Sequence, residues 1–254
     1  MRCVACVVLF CVTLTAAAQP PAWVTFKGQV VFPADVPIPP RKALAGGGGI
    51  ACLKGPLLDE AILINPKNRG IKNVVVWLRP DNMMPKAALA PNEIHPDDAK
   101  RKPADVVIDQ PCCMFVERIT AARVGDTVVV KNSAAFAHNF FWVSENNGSF
   151  NPNMVAGGEF RFPNPLVAES TALGYSCAIH PWMKGYVRVF DHPYFAVTDE
   201  DGTFELKNAP AGKYRLVMWH EATGFMGGKA GRFGDAIEIK GGMAAKAVAW
   251  DVTK

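Results

Sequence analysis

Short apolar runs, spaced too closely to be anything but strands, are the feature that most limits how this chain can fold. Between Asp105 and Phe190 such runs of about five or six residues return roughly every ten residues, and turn residues separate them. They read Asp105–Asp109, Met114–Ile119, Thr127–Lys131, His138–Val143, Glu159–Phe162, Leu173–Ser176 and Tyr186–Phe190. No long amphipathic helical pattern competes with them. Strands of this length bury their apolar faces only by pairing and stacking, so the fold class is all-β and the architecture a β-sandwich.

The flanks continue the pattern. Thr25–Phe32 reads as a strand, and Asn73–Leu78 is a continuous apolar run, the mark of a strand buried on both faces. Residues 81–103 are a proline-rich surface loop with one helical turn near Pro96–Lys100. Beyond residue 190, strands are expected at Tyr194–Val197, Thr203–Leu206, Lys213–Trp219, Ala236–Ile239 and Ala245–Val252. Segments 24–80 and 191–254 therefore flank a middle domain at 104–190.

The first 18 residues read as a signal peptide: Met1-Arg2, an apolar run from Cys3 to Leu14, and Ala16-Ala17-Ala18 before Gln19. The mature protein is expected to be exported, periplasmic or extracellular. No later apolar run is long enough for a membrane span. With 27 Lys and Arg against 23 Asp and Glu the formal charge is +4, spread along the chain, which points to no nucleic acid partner.

Chemistry concentrates in one short loop. Cys177, His180 and Met183 offer a thiolate, an imidazole and a thioether between two strands, a donor set that suits copper. A trigonal copper site needs a second imidazole from a neighbouring strand, and His138 supplies it. Asn139 beside it can hydrogen-bond across to the ligand loop and hold it. Four protein ligands leave no open position, so an enzyme is not expected. His95, His192 and His220 are the spare histidines, and they form no His-x-His pair. His220 and Glu221 point to opposite faces of their strand and read as an edge-of-strand polar pair; His192 reads as structural. Of seven cysteines, three fall in the signal peptide. With Cys177 on the metal, a disulfide from Cys52 to Cys112 or Cys113 is possible in an oxidising compartment, and the choice stays open.

Val124-Gly-Asp-Thr-Val-Val-Val-Lys-Asn132, Ala137-His-Asn139 and Tyr175-Ser-Cys-Ala-Ile-His-Pro-Trp-Met-Lys-Gly-Tyr-Val187 together resemble a cupredoxin of the short-loop, amicyanin- and plastocyanin-like kind. The resemblance implies a Greek-key sandwich over 104–190 and one type 1 copper ion held by His138, Cys177, His180 and Met183. It also implies electron transfer, with a redox partner docking near His180, Pro181 and Trp182. Val197–Leu206 and Ala209–Leu216 resemble a carboxypeptidase-regulatory-like (transthyretin-like) sandwich, whose opening strands look like Phe26–Phe32 and Asn73–Leu78. One sandwich assembled from both chain ends, with the cupredoxin inserted, is the expected arrangement. The competing functional reading is a binding or scaffold module of the cell envelope whose cupredoxin holds no metal.

Overall fold

The computed structural model describes residues 22–44 and 56–254. The expected signal peptide and Cys52 lie outside them. The described residues are nearly all β, with one short α-helix at Pro96–Ala99, where the helical turn is expected, and 3-10 turns at Pro91–Glu93 and Gly228–Phe233. Among them no helix is long and apolar enough to cross a membrane.

Two strands precede the middle region, β1 (Trp23–Val31) and β2 (Val75–Pro80). Ten follow within it: β3 (Asp105–Asp109), β4 (Ile119–Arg123), β5 (Thr127–Lys131), β6 (His138–Asn139), β7 (Phe141–Val143), β8 (Ser149–Phe150), β9 (Asn153–Met154), β10 (Glu159–Arg161), β11 (Leu173–Ser176) and β12 (Lys184–Phe190). The last six are β13 (Phe195–Val197), β14 (Thr203–Pro210), β15 (Gly212–His220), β16 (Gly224–Phe225), β17 (Asp235–Ile239) and β18 (Lys246–Ala249).

Hydrogen bonding sorts these strands by region. β1 lies between β14 and β18, with Phe26 opposite Leu206 and Val30 opposite Val248. β2 lies between β13 and β15, with Leu78 opposite Leu216; β16 and β17 extend the other side of β15. Both sheets thus join segments from before and after the middle region. The middle strands pair only among themselves, in the orders β10-β5-β3, β4-β12-β11-β7-β8 and β6-β9.

Each region closes its own core. Phe26, Val30, Ile71, Val76, Leu78, Leu206, Leu216 and Met218 pack in the first. Ile108, Val128, Val130, Phe140, Trp142, Phe162 and Val187 pack in the second. The continuous apolar run of β2 follows from its place between them: Val76 and Leu78 face the first core, while Val75 and Trp77 face a third cluster with Ile119, Phe190 and Val217. Alternate residues of one strand serve two cores. At about 1.5–3 kcal/mol for each fully buried large apolar side chain, this shared strand welds the regions together.

The structure departs from the sequence reading in three places. Met114–Ile119 is not a strand: only Val116 bridges back to Asp109, and pairing begins at Ile119. Pro111 and the left-handed backbone of Cys113 (φ 40°) turn this segment into a loop. His138–Val143 is two strands in two sheets, because the chain crosses at Phe140, whose ring is fully buried against Phe115 and Tyr175. His220 and Glu221 are not at a sheet edge. His220 ends the interior strand β15 and is fully buried, and Glu221 holds Arg118 in a bidentate ion pair at 2.5 and 2.7 Å. His192 is buried, with its Nδ1 accepting from the Tyr194 backbone N–H, as a structural histidine does.

Candidate metal centre

The break between β6 and β7 creates the site. It leaves His138 and Asn139 on a two-residue strand paired only with β9, where His138 sits opposite Met154. Asn132, at the end of the Val-Gly-Asp strand motif, fixes this corner. Its amide donates to the carbonyls of Phe136, Met154 and Val155, and so ties both sides of His138 to the end of β5. At the start of that motif, Gly125 takes φ 91°, a conformation that glycine alone adopts freely. Against the cost of its burial, the Asp126 carboxylate accepts from Arg101 and from the Arg123 and Ala104 backbone, and these bonds lower its pKa.

The ligand loop is the connection of the β11–β12 hairpin. Cys177 N–H donates to Met183 O at 3.2 Å and Met183 N–H to His180 O at 2.9 Å, so the loop is tightly coiled. Gly185 follows because the Tyr175 ring lies across its position; a Cβ there would stand 2.4 Å from the ring. The Tyr175 hydroxyl donates to Glu117 O at 3.0 Å.

These two corners bring the donors together. His138 Nδ1 lies 3.0 Å from His180 Nδ1, and Cys177 Sγ lies 3.8 Å from His180 Nδ1. Both separations are short enough for the two atoms of each pair to hold one shared ion. Met183 is buried in the same core as Cys177, 1% exposed. Asn139 joins the two corners: its N–H donates to Cys177 Sγ at 3.3 Å and its Oδ1 accepts from Ala178 N–H at 3.1 Å. Its amide nitrogen is anchored on Asn151 Oδ1 and Pro152 O.

Electrostatics suit a cation. Burial, helped by the neighbouring His180, lowers the pKa of His138 to about 4, and burial lowers that of His180 too. Both imidazoles are thus neutral at pH 7, the form that binds metal. His138 Nε2 is buried with no hydrogen-bond partner. Outside the donors, Pro181 and Ile179 are exposed, while Trp182 is half-buried with its indole N–H on Cys113 O at 3.0 Å.

Cys113 is the thiol that the sequence left without a role. It is a free, buried thiol, not a disulfide half-cystine, whereas Cys112 is disulfide-bonded. Of the two pairings open from the sequence, the one through Cys113 is therefore absent; Cys52 lies outside the described residues. The Cys113 thiol sits 3.6 Å from His180 Nε2, and donor atoms of Cys113, His138 and His180 all lie within 4.8 Å of one another. Burial pushes this thiol up, and nearby Cys177 adds to the effect. The signal was the Cys112-Cys113 doublet itself, which leaves one thiol over once the other is bridged.

No protein-family model and no curated protein matches the chain. Solved structures of amicyanin are similar to part of it. A reduced amicyanin variant is 27% identical, covering 34% of this chain and 82% of that one, with a TM-score of 0.30. A second reduced variant is 26% identical, covering 37% and 89%, with a TM-score of 0.31. The Cu(I) form of a third is 22% identical, covering 45% and 98%, with a TM-score of 0.30.

Proposed function

We propose that this protein is an exported one-electron carrier built on a cupredoxin domain that holds a single type 1 copper ion. The observation that carries the reading is the convergence of His138 Nδ1, His180 Nδ1 and Cys177 Sγ at 3.0 and 3.8 Å from a shared nitrogen. A copper ion there supplies the one-electron couple. His138 and His180 would hold it as neutral imidazoles, Cys177 as a thiolate and Met183 as a weakly bound thioether. Asn139 stabilises the sulfur by donating to it and keeps Ala178, the residue after Cys177, in register. Burial of His138, Cys177 and Met183 excludes water, and two separately anchored corners keep the donors in place while the charge changes. Both properties favour outer-sphere transfer over bond-making chemistry, so we assign no catalytic residue. Electrons would pass to a redox protein at the face carrying Ile179, His180 and Pro181. The sandwich built from the chain ends serves in this reading as an accessory module of the carboxypeptidase-regulatory-like kind.

Copper titration of the metal-free protein tests the proposal. One equivalent should bind and produce an intense thiolate-to-copper absorption band in the visible. Cys177→Ser should abolish that band while leaving the fold intact. A wild-type protein that takes up no copper, or stays colourless with Cu(II), would sink the reading.

A further inference from the structure

We infer that Cys113 is a positioning residue for His180, one that fixes the ligand imidazole from its outer side; the inference rests on the copper reading above. A metal on His180 Nδ1 leaves the ring's proton on Nε2. That nitrogen points at Cys113 Sγ, 3.6 Å away. Histidine ligands ordinarily hand this second N–H to a carboxylate, a carbonyl or water, which sets tautomer and ring orientation. Here a buried thiol takes that place.

One imidazole cannot offer both its nitrogens to one ion. With His138 Nδ1 and Cys177 Sγ on the Nδ1 side, Cys113 stands at the opposite, Nε2, end of the ring. It therefore acts through His180 and not as a fifth donor. The same residue also accepts the Trp182 indole N–H on its carbonyl oxygen at 3.0 Å. Cys113 thus fastens two side chains of the ligand loop from a segment outside it.

That segment is well held. Reciprocal backbone hydrogen bonds between Asp109 and Val116, at 3.0 and 2.9 Å, close its base. Cys112 is disulfide-bonded, and Phe115 packs edge-on against Tyr175 with ring centroids 4.8 Å apart. A thiol can both donate and accept, so it can serve His180 in either tautomer. In the metal-free protein the two Nδ1 atoms lie 3.0 Å apart and either can be the donor, so the outer nitrogen is free to be acceptor or donor. Loading with metal leaves only the arrangement in which Cys113 Sγ accepts.

Two variants and one measurement on the wild type test this. Cys113→Ala removes the acceptor and should lower Cu(I) affinity, read by competition with a chelator, about 10-fold, the scale of a lost outer-shell partner. Cys113→Ser keeps an acceptor and should recover most of that loss, and the thiolate band should persist in both variants with Cu(II). Independently of any variant, the His180 Nε2–H of the wild-type Cu(I) protein should appear by NMR as a slowly exchanging, hydrogen-bonded proton. In metal-free Cys113→Ala the His180 ring signals should broaden relative to wild type as the ring loses its single orientation. Unchanged affinity in Cys113→Ala, or a fast-exchanging Nε2–H in the wild type, would overturn the inference while leaving the copper reading intact. Failure of wild-type protein to bind copper would overturn that reading, and the metal-free ring signals would still decide the role of Cys113.

Discussion

The sandwich assembled from the chain ends and the sandwich between them are built from the same kind of strand, yet only one gathers chemistry. The outer one is built on long strands: β1 and β15 have nine residues each and β14 has eight. The middle one contains four strands of two or three residues around the site, β6 to β9. Each sandwich also buries a neutral histidine, with the pKa of His138 and of His220 lowered to about 4 by burial. Their surroundings differ. His220 has the Trp250 ring beside it and its Nδ1 accepts from the Ala222 backbone N–H, whereas His138 Nδ1 faces His180 Nδ1 within hydrogen-bond distance. Burial makes both histidines neutral; the interrupted strand is what turns His138 towards other donors.

The largest effect should come from cutting the bond between the two regions. Arg118 lies just before β4 of the middle sandwich, Glu221 just after β15 of the outer one, and their side chains are only 12% and 4% exposed. Glu60 adds a second carboxyl near Arg118, raised by burial and lowered by that arginine. Removing one member of a buried pair leaves the other charge stranded, at a cost of about 3–5 kcal/mol. Glu221→Ala should therefore lower stability by that order and split a single denaturant transition into two, followed separately by probes in each core. A single transition with a loss under about 1 kcal/mol would show that the apolar cluster of Trp77, Phe190 and Val217 alone couples the regions.

A smaller effect should separate the two buried histidines. Their ordinary value is 6.5 and their folded value about 4, so the unfolded chain takes up protons first as the pH drops. Stability is fully present above about pH 6.5 and falls as the pH goes towards 4, by at most about 1.4 kcal/mol per pH unit for each histidine. His138→Gln and His220→Gln should each flatten that slope in the metal-free protein, measured by denaturant unfolding at pH 7 and pH 4.5. Only His138→Gln should abolish copper uptake. Equal loss of uptake in both would erase the distinction drawn between the two sites.

Much of this was legible in the sequence, for reasons that also explain what was not. The all-β class and the double-sided burial of β2 follow from residue spacing, because strand geometry turns spacing directly into direction; the grouping of His138 with Cys177 and His180 was legible from donor chemistry and the cupredoxin resemblance. The break at Phe140 did not show, since a strand that changes sheets keeps its alternation of apolar residues. The role of Cys113 was hidden for a different reason: the cysteine doublet does not say which thiol is left over, and the approach of Cys113 to His180 depends on a loop 67 positions away in sequence. Likewise, the bond from Arg118 to Glu221 spans 103 positions and has no local signature.

The smallest effect is a control on the whole comparison. Each sandwich carries an exposed ion pair between directly opposed residues of neighbouring antiparallel strands: Lys27 and Glu205 across β1 and β14 at 3.5 Å, Lys131 and Glu159 across β5 and β10 at 3.7 Å. All four side chains are at least 40% exposed, so water and salt screen both pairs alike. Double-mutant cycles to alanine should give coupling energies of about 0.2–1 kcal/mol for each, shrinking together as salt is raised. The two values should agree, because nothing at the surface distinguishes these sheets. If the Lys131–Glu159 coupling exceeded its counterpart severalfold and changed on copper loading, the surface of the middle sandwich would respond to its metal centre, and the difference between the regions would extend beyond the interrupted strands that hold the ligands.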